Sequence, residues 1–177
     1  MQSKAKTTLV LGGCRSGKSS HALKLAEDAS DKNRIYIATC VPYDNEMQDR
    51  VNRHQGERDN TWQTVETPVD IAGTITENSS HAGVILVDCL TLWVTNLLME
   101  DKSEEEILKE VAQLNSALEK SLCPVILVSN EVGAGIVPEN GLARKFRDIA
   151  GFVNQKVAKC VDNVFFTAAG IPLKIKG

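Results

Sequence analysis

Five apolar runs rich in β-branched residues are spread along this 177-residue chain. They are TTLVLGG at 7–13, RIYIATC at 34–40, GVILVDC at 83–89, PVILVSNEV at 124–132 and NVFFTAAG at 163–170. The first four are nearly continuous rather than alternating, which is typical of strands covered on both faces of a parallel sheet. Because helical patterns lie between the runs, the sequence predicts an α/β fold with a mostly parallel central sheet flanked by helices. The length favours one domain over residues 1–177.

Three helical patterns separate the predicted strands. SSHALKLAEDAS follows the first run, and SEEEILKEVAQLNSALEK begins with Ser103 and Glu106 in the spacing of a capping box. LARKFRDIAGFVNQKVAKC carries an apolar stripe, which predicts a helix packed along one side. The stripe consists of Leu142, Phe146, Ile149, Val153, Val157 and Cys160.

Charge and composition exclude several classes of protein. The 20 basic and 23 acidic residues give a net charge of -3, which argues against a nucleic-acid-binding surface. The five cysteines form no C-x-x-C pair, so neither zinc nor disulfide chemistry is indicated. The apolar run at 83–99 is interrupted by Asp88 and is interpreted as a strand followed by a helix near Leu90, not as a membrane span. We expect no signal peptide and a cytoplasmic location.

The segment GGCRSGKSS matches the phosphate-binding pattern G-x-x-x-x-G-K-[ST], with a predicted strand before it and a helix after it. In this pattern backbone N–H groups and the positive end of the helix face phosphate oxygens. Lys18 is expected to reach the β- and γ-phosphates, and the Ser19 hydroxyl to bind Mg²⁺. The alternative is a chance glycine turn. Residues 12–19, called the phosphate loop below, are all predicted to bind nucleotide: Gly12, Gly13, Cys14, Arg15, Ser16, Gly17, Lys18 and Ser19.

Asp88 ends the run VILVD and is a candidate second ligand for that magnesium ion. The alternative is that Asp88 only caps the helix that begins near Leu90.

The nucleotide alone leaves the class of protein open. A GTPase switch needs D-x-x-G after this strand, whereas the chain has Asp88-Cys-Leu-Thr91, and it also lacks N-K-x-D. A small-molecule kinase is the default, and a motor ATPase fits poorly to so short a chain.

A polar segment at 44–66 carries His54 together with three arginines, Arg50, Arg53 and Arg58. Asp44 or Asn45 is a plausible helix N-cap. Positive neighbours would keep the imidazole neutral, and a neutral imidazole is a nucleophile. The alternative is a solvated residue near a helix end. His21 and His81 are interpreted as a helix residue and a turn residue without a chemical role.

Four segments resemble a known family: GGCRSGKSSHA, IATCVPYDNEMQDRVNRH, SNEVGAGIVPEN and LARKFRDIAGFVNQKVA. Together they identify the chain as similar to the bifunctional adenosylcobinamide kinase/adenosylcobinamide-phosphate guanylyltransferases, from about Thr8 to Lys176. These enzymes act late in the assembly of adenosylcobalamin. The resemblance implies phosphorylation of adenosylcobinamide with ATP or GTP, followed by transfer of GMP from GTP to that phosphate through a histidine-linked intermediate.

The resemblance also implies roles for particular residues. His54 would be the nucleophile, and Lys18 and Mg²⁺ would act on the phosphates. The other implied guanine-nucleotide contacts are Ala38, Thr39, Cys40, Gln55, Gly56, Glu57, Arg58, Glu66 and Asp88. A homotrimer is the implied assembly. SNEVGAGIVPEN is expected either to receive the large substrate or contact a subunit, or else to be a packing turn.

Two rival interpretations stay open at this point. One is a P-loop small-molecule kinase in which His54 has no catalytic part. The other is a nucleotide-binding regulatory or structural module, which the missing switch motifs disfavour.

Overall fold

The computed structural model describes residues 5–42, 56 and 58–177. Its strands form one seven-stranded sheet in the order β3-β2-β4-β5-β1-β6-β7. All neighbouring strands are parallel except β6 and β7, which form an antiparallel hairpin. The strands are β1 (Thr7–Gly12), β2 (Arg34–Ala38), β3 (Trp62–Glu66), β4 (Val84–Asp88), β5 (Val125–Asn130), β6 (Asn163–Ala168) and β7 (Ile171–Lys176).

Five helices of eight residues or more lie in the described part of the chain. They are α1 (Lys18–Ala29), α2 (Ile71–Asn78), α3 (Leu90–Met99), α4 (Glu104–Lys120) and α5 (Gly141–Cys160). The predicted α/β fold with its mostly parallel sheet is confirmed, as are all five predicted strands. The helix expected near Leu90 begins there.

Two edge strands were missed from the sequence. β3 lies in a polar segment, and only its first and fourth residues are even half-buried. All six residues of β7 are exposed, and Pro172, Lys174 and Lys176 interrupt its apolar positions. An edge strand is covered less than a central one, so it leaves a weaker hydrophobic pattern in the sequence.

The sheet buries a core on each face. One face packs against α1, where Val10, Leu86 and Val128 meet Ala22 and Ala26 of the helix. The opposite face packs against the other four helices in a larger cluster. That cluster includes Leu9, Ile37, Val87, Leu127, Ile75, Trp93, Leu114 and Val153. Because β1 lies between β5 and β6, both of its edges are hydrogen bonded, and its carboxyl end emerges away from the two ends of the sheet.

Helix ends and faces follow the sequence with one exception. The capping box of α4 is present, with both the Ser103 and the Glu106 hydrogen bonds. In the α5 stripe, Ile149, Val153 and Val157 are buried, but Leu142 is 62 % exposed. The expectation for Leu142 was wrong because the first two turns of α5 are exposed or half-buried, and the helix enters the core only at Ile149.

No helix in the described ranges is long and apolar enough to cross a membrane. The apolar run at 83–99 forms β4 and α3, as its interruption at Asp88 indicated.

Candidate nucleotide-binding site

The phosphate loop joins the central strand β1 to α1. Gly12 is the last residue of β1, and Lys18 is the first of α1. Gly17 precedes the helix at φ 89°, a left-handed conformation that L side chains rarely adopt, so the sequence needs glycine there. The Lys18 Nζ donates to the Gly13 carbonyl at 3.2 Å, which places the ammonium group over the loop.

The turn between β6 and β7 supports the phosphate loop from behind. The Gly170 N–H donates to the Ser16 carbonyl at 2.8 Å. A Cβ on Gly12 would lie 2.6 Å from the Thr167 carbonyl oxygen, and one on Gly17 would lie 3.1 Å from Gly170 Cα. The loop therefore has a fixed shape, with little free space between it and the hairpin.

Three of the predicted nucleotide contacts form a row at the carboxyl edge of the sheet. Ala38 at the end of β2 pairs with Glu66 on β3 and with Asp88 on β4. Parallel neighbours in register place their side chains on the same face, so these three side chains share one face. With strands spaced about 4.8 Å apart, the four spacings from β1 to β3 span roughly 19 Å. An extended nucleoside triphosphate has a length of this order.

Asp88 does not cap the following helix. The N-cap residue of α3 is Cys89, and no side-chain hydrogen bond caps the helix. Instead, the Asp88 Oδ2 accepts a hydrogen bond from the Tyr36 hydroxyl at 3.2 Å. The carboxylate is thus held at the sheet edge, and the alternative weighed from the sequence is not what the fold adopts.

Tyr36 also contacts Arg58 through its ring. The Arg58 guanidinium carbon lies 3.6 Å from the ring centroid, in cation–π contact, and Arg58 Nη2 is 3.4 Å from the Thr64 Oγ1. Burial and the Asp88 charge raise the pKa of the Tyr36 phenol well above its usual value, and Arg58 opposes them. The phenol therefore stays protonated and donates to the carboxylate. Sequence reasoning did not single out Tyr36, because its partners come from two other strands and a loop.

Cys89 and Thr39 join β4 to β2 beneath this row. The Thr39 hydroxyl donates to the Cys89 carbonyl and accepts from the Cys89 N–H, both at 2.8 Å. Burial and the Asp88 charge raise the pKa of the Cys89 thiol to about 11, while the positive charge of Lys18 opposes this shift. The backbone directly after Asp88 is therefore anchored to the residue that follows β2.

Two asparagines, also missed from the sequence, tie further segments to this edge. The Asn96 Nδ2 donates to the carbonyls of Thr39 and Pro68, at 2.8 and 2.9 Å. The Asn130 Nδ2 donates to the Thr91 Oγ1 at 2.7 Å. Both asparagines lie within or next to apolar runs, where a polar side chain needs a hydrogen-bond partner. That feature of the sequence could have identified them as structural residues.

Cys40 follows Thr39 and is half-buried, and Gly56 is exposed. Apart from these two and Arg58, the predicted site residues fall into three groups. The first group lies along one edge of the sheet and comprises Lys18, the rest of the phosphate loop, Ala38, Glu66 and Asp88. Nucleotide binding by these residues stays a prediction. Thr39 is fully buried, and its hydroxyl is already bonded within the protein, so its nucleotide contact stays a prediction. His54, Gln55 and Glu57 lie outside the described residues, as do Arg50, Arg53 and the proposed cap at 44 or 45.

The loop at 131–140 follows β5 at the same edge. Arg147 Nη2 donates to the Gly133 carbonyl at 2.5 Å, and Arg144 Nη1 donates to the Pro138 and Glu139 carbonyls at 3.0 and 2.6 Å. The backbone of the loop is therefore held by α5, while the Ile136 side chain is 96 % exposed.

The donors at this edge suit magnesium. A hydroxyl at Ser19 and a carboxylate at Asp88 are hard oxygen ligands, which Mg²⁺ prefers. Within the described ranges, no cluster of three or more His, Cys, Asp or Glu residues could hold a metal by itself. A Mg²⁺ ion is typically held by one or two protein oxygens together with water and substrate phosphates, so this sparse donor set fits a metal that arrives with a nucleotide.

Three features define a P-loop nucleotide-binding protein. A glycine loop joins a central parallel strand to a helix, Lys-Ser stands at the start of that helix, and an acidic residue ends a strand two positions away. The chain matches the cobinamide kinase / cobinamide phosphate guanyltransferase family over residues 8–175, and it belongs to that family.

Its relatives match over nearly their whole length. A bifunctional adenosylcobalamin biosynthesis protein of Escherichia coli, CobU, is 42% identical over 180 residues, covering 95% of this chain and 98% of the relative. The bifunctional adenosylcobalamin biosynthesis protein CobP of Pseudomonas aeruginosa is 41% identical over 169 residues, covering 96% of each chain.

Solved structures show the same fold at low sequence identity. A KaiC-like protein of Pyrococcus horikoshii superposes with a TM-score of 0.56 at 15% identity, covering 91% of this chain and 70% of that one. A second solved structure, an ATPase domain, superposes with a TM-score of 0.54 at 14% identity, covering 92% of this chain and 69% of that one.

Proposed function

We propose that this chain, as a single domain, carries out both reactions of its family at the carboxyl edge of the sheet. The first is phosphorylation of adenosylcobinamide by ATP or GTP. The second is transfer of GMP from GTP to the resulting phosphate, which gives adenosylcobinamide-GDP and pyrophosphate. The family membership supports the pair of reactions. The observation that carries the site is the row Ala38, Glu66 and Asp88 beside the phosphate loop.

In the kinase step, the amides of the phosphate loop and the Lys18 ammonium group bind the triphosphate. Lys18 leaves the Gly13 carbonyl for the phosphate oxygens, where it stabilises the charge that develops during transfer. Ser19 and Asp88 would hold Mg²⁺, which would supply Lewis-acid charge neutralisation. The acceptor is the hydroxyl of the aminopropanol arm of the corrinoid. Its oxygen forms the new bond to the γ-phosphorus as the bond to the β-phosphate oxygen breaks, and the hydroxyl proton is released to water.

In the transfer step, the His54 imidazole attacks the α-phosphorus of GTP. A nitrogen–phosphorus bond forms, the bond to the bridging oxygen breaks, and pyrophosphate leaves with that electron pair. The phosphate oxygen of adenosylcobinamide phosphate then attacks the same phosphorus and releases the imidazole. Two displacements replace one difficult one, and the amides of the phosphate loop stabilise the departing pyrophosphate.

The spacing along the sheet edge supports one extended nucleotide for the transfer step. With its β- and γ-phosphates in the phosphate loop, the nucleotide would run toward β2 and β3, where Ala38 and Glu66 end the strands. Gly56 and Arg58 lie next to the segment that carries His54. Arg58 is half-buried over Tyr36, from which its guanidinium can reach an anionic ligand.

The loop at 131–140 is the proposed contact for the corrinoid. Its backbone is fixed by Arg144 and Arg147, and its exposed apolar side chains offer a surface to a large, partly apolar ring system. We further propose a homotrimer in the cytoplasm. The exposed apolar side chains of the edge strand β7, at Ile171, Leu173 and Ile175, are a candidate surface for subunit contact.

The test is incubation with Mg²⁺ and GTP labelled at the α-phosphate, beside a parallel sample labelled at the γ-phosphate. After denaturation, a histidine-linked GMP should give a label that is stable to alkali and labile to acid, from the α-labelled nucleotide alone. His54→Ala should abolish this label while GTP binding, measured by calorimetry, is retained.

The outcomes separate the function from its rivals. Kinase turnover of adenosylcobinamide without any α-label, in protein that binds GTP, would leave a P-loop kinase in which His54 is idle. Nucleotide binding without turnover of either kind, with adenosylcobinamide present, would indicate a binding module and contradict the proposal.

A further inference from the structure

We propose that Tyr36 is a positioning residue that holds two nucleotide-site groups at once, Asp88 through its hydroxyl and Arg58 through its ring. The inference rests on the nucleotide site proposed above and adds a residue to which neither the sequence nor the family resemblance gave a part. Tyr36 is only 8 % exposed, so it acts through these two partners rather than on the substrate.

Strand register explains how one side chain reaches both. Tyr36 on β2 pairs with Thr64 on β3 and with Leu86 on β4. Side chains two positions apart on a strand share a face, so Asp88 lies on the same face as Leu86 and one step nearer the carboxyl edge. The tyrosine is long enough to span that step, and its hydroxyl lies 3.2 Å from the Asp88 Oδ2.

The contact with Arg58 forms on the side of Tyr36 that faces β3. Thr64 stands beside Tyr36 on the same face, and Arg58 lies across both, 3.6 Å from the ring centroid and 3.4 Å from the Thr64 hydroxyl. Trp62 packs edge-on against the same ring, with centroids 6.3 Å apart. The ring is thus fixed by packing and presents its face to the guanidinium.

The chemical consequence is a fixed separation of two opposite charges. A carboxylate that ligates a metal through one oxygen needs its orientation set by a hydrogen bond, since outer partners of this kind strengthen metal binding about tenfold or more. The phenol does this for Asp88 while its ring keeps the Arg58 cation on the other side. Without the ring, the Thr64 hydroxyl at 3.4 Å is the remaining described contact of the Arg58 guanidinium, and an Arg58–Asp88 ion pair would withdraw both groups from the nucleotide.

Two substitutions separate the two contacts. Tyr36→Phe removes the hydroxyl and keeps the ring, whereas Tyr36→Leu removes both. The first readout is Mn²⁺ affinity, measured by electron paramagnetic resonance in the presence of a non-hydrolysable GTP analogue. The second is affinity for the same analogue in EDTA, measured by calorimetry. Trp62→Phe is the matched control, because it alters a ring that packs edge-on against Tyr36 and leaves the Tyr36 hydroxyl and ring in place.

We expect Tyr36→Phe to weaken Mn²⁺ binding about tenfold, the size of a lost hydrogen bond to a charged group, and to leave the affinity in EDTA unchanged. Tyr36→Leu should weaken both. In the transfer assay, raising the Mg²⁺ concentration should restore the kcat of Tyr36→Phe. Trp62→Phe should change neither affinity by more than about twofold.

Wild-type Mn²⁺ affinity in Tyr36→Phe would overturn the inference. An equal loss in Trp62→Phe would also overturn it, since the effect would then be general loosening of the sheet edge. Tyr36→Phe is nearly isosteric, so the test stands even if Tyr36→Leu fails to fold. These results are distinct from failure of the proposed function, in which the wild-type protein itself would form no labelled histidine.

Discussion

Replacing Gly12 by alanine should distort the phosphate loop and destabilise the protein. The new Cβ would lie 2.4 Å from the Ser16 Oγ and 2.6 Å from the Thr167 carbonyl oxygen, well inside the 3.4 Å at which ordinary contacts begin. Ser16 can rotate its hydroxyl away. Thr167 cannot move, because its backbone belongs to β6 and is paired with Gly12 itself in the sheet.

Relief must therefore come from the loop or from the β1–β6 pairing. Overpacking of this kind costs about 1–3 kcal/mol. For a chain of this length, a loss of about 2 kcal/mol corresponds to a fall in Tm of roughly 4–8 °C. Affinity for GTP should fall by about tenfold, because a displaced loop amide loses a hydrogen bond to a charged phosphate.

Urea denaturation followed by tryptophan fluorescence measures the first effect, and calorimetry with GTP measures the second. Gly13→Ala is the matched control. A Cβ at Gly13 meets nothing within 4 Å, so the free energy of unfolding should change by less than about 0.5 kcal/mol. Equal stability of the two variants, or a Gly12→Ala protein as stable as the wild type, would refute the argument that the hairpin fixes the loop.

Three further predictions concern other parts of the molecule. Lys18→Ala should lower GTP affinity at least tenfold by calorimetry while Tm changes by less than about 2 °C, since among the described residues Lys18 donates to a loop carbonyl alone; a large fall in Tm would contradict this. Burial lowers the pKa of His21, so the unfolded chain binds a proton before the folded one, and the free energy of unfolding should decrease as the pH falls below about 6.5. His21→Phe should flatten that decrease in urea titrations between about pH 7.5 and 5.5, and an unchanged slope would count against it. Iodoacetamide should modify the exposed Cys14 and spare Cys89, because burial and a pKa of about 11 keep the Cys89 thiol protonated and inaccessible. Peptide mass spectrometry measures the two rates, and faster modification of Cys89 would contradict this.

Much of the fold could be predicted because covered strands leave continuous apolar runs. Val84–Asp88 and Val125–Asn130 are buried on both faces, and their sequences VILVD and VILVSN have no other good interpretation. β3 and β7 could not be found this way. Each lies at an edge, where one neighbour is missing and polar residues are tolerated, so the register of the sheet and not the local pattern makes them strands.

The site residues that follow directly on strands could be predicted from the sequence. The phosphate loop and Asp88 each follow an apolar run, and the α/β architecture brings such ends to one edge. Strand order was not predictable from the sequence. The neighbours of β2, which are β3 and β4, decide that Ala38, Glu66 and Asp88 form a row and that Tyr36 can reach Asp88. Leu142 shows that a helical pattern does not by itself predict burial. Its spacing in the helix was correct, but its turn lies outside the core.

The position of β1 between β5 and β6 sets an order of events during synthesis. Thr7 at the start of β1 is hydrogen bonded to Asp162, 155 residues further along the chain. The phosphate loop is synthesised well before its supporting strand β6 and the Gly170 N–H that holds Ser16. A nascent chain therefore carries the loop sequence long before it can hold the loop shape, and GTP can stabilise the protein only after nearly all of the sheet has assembled.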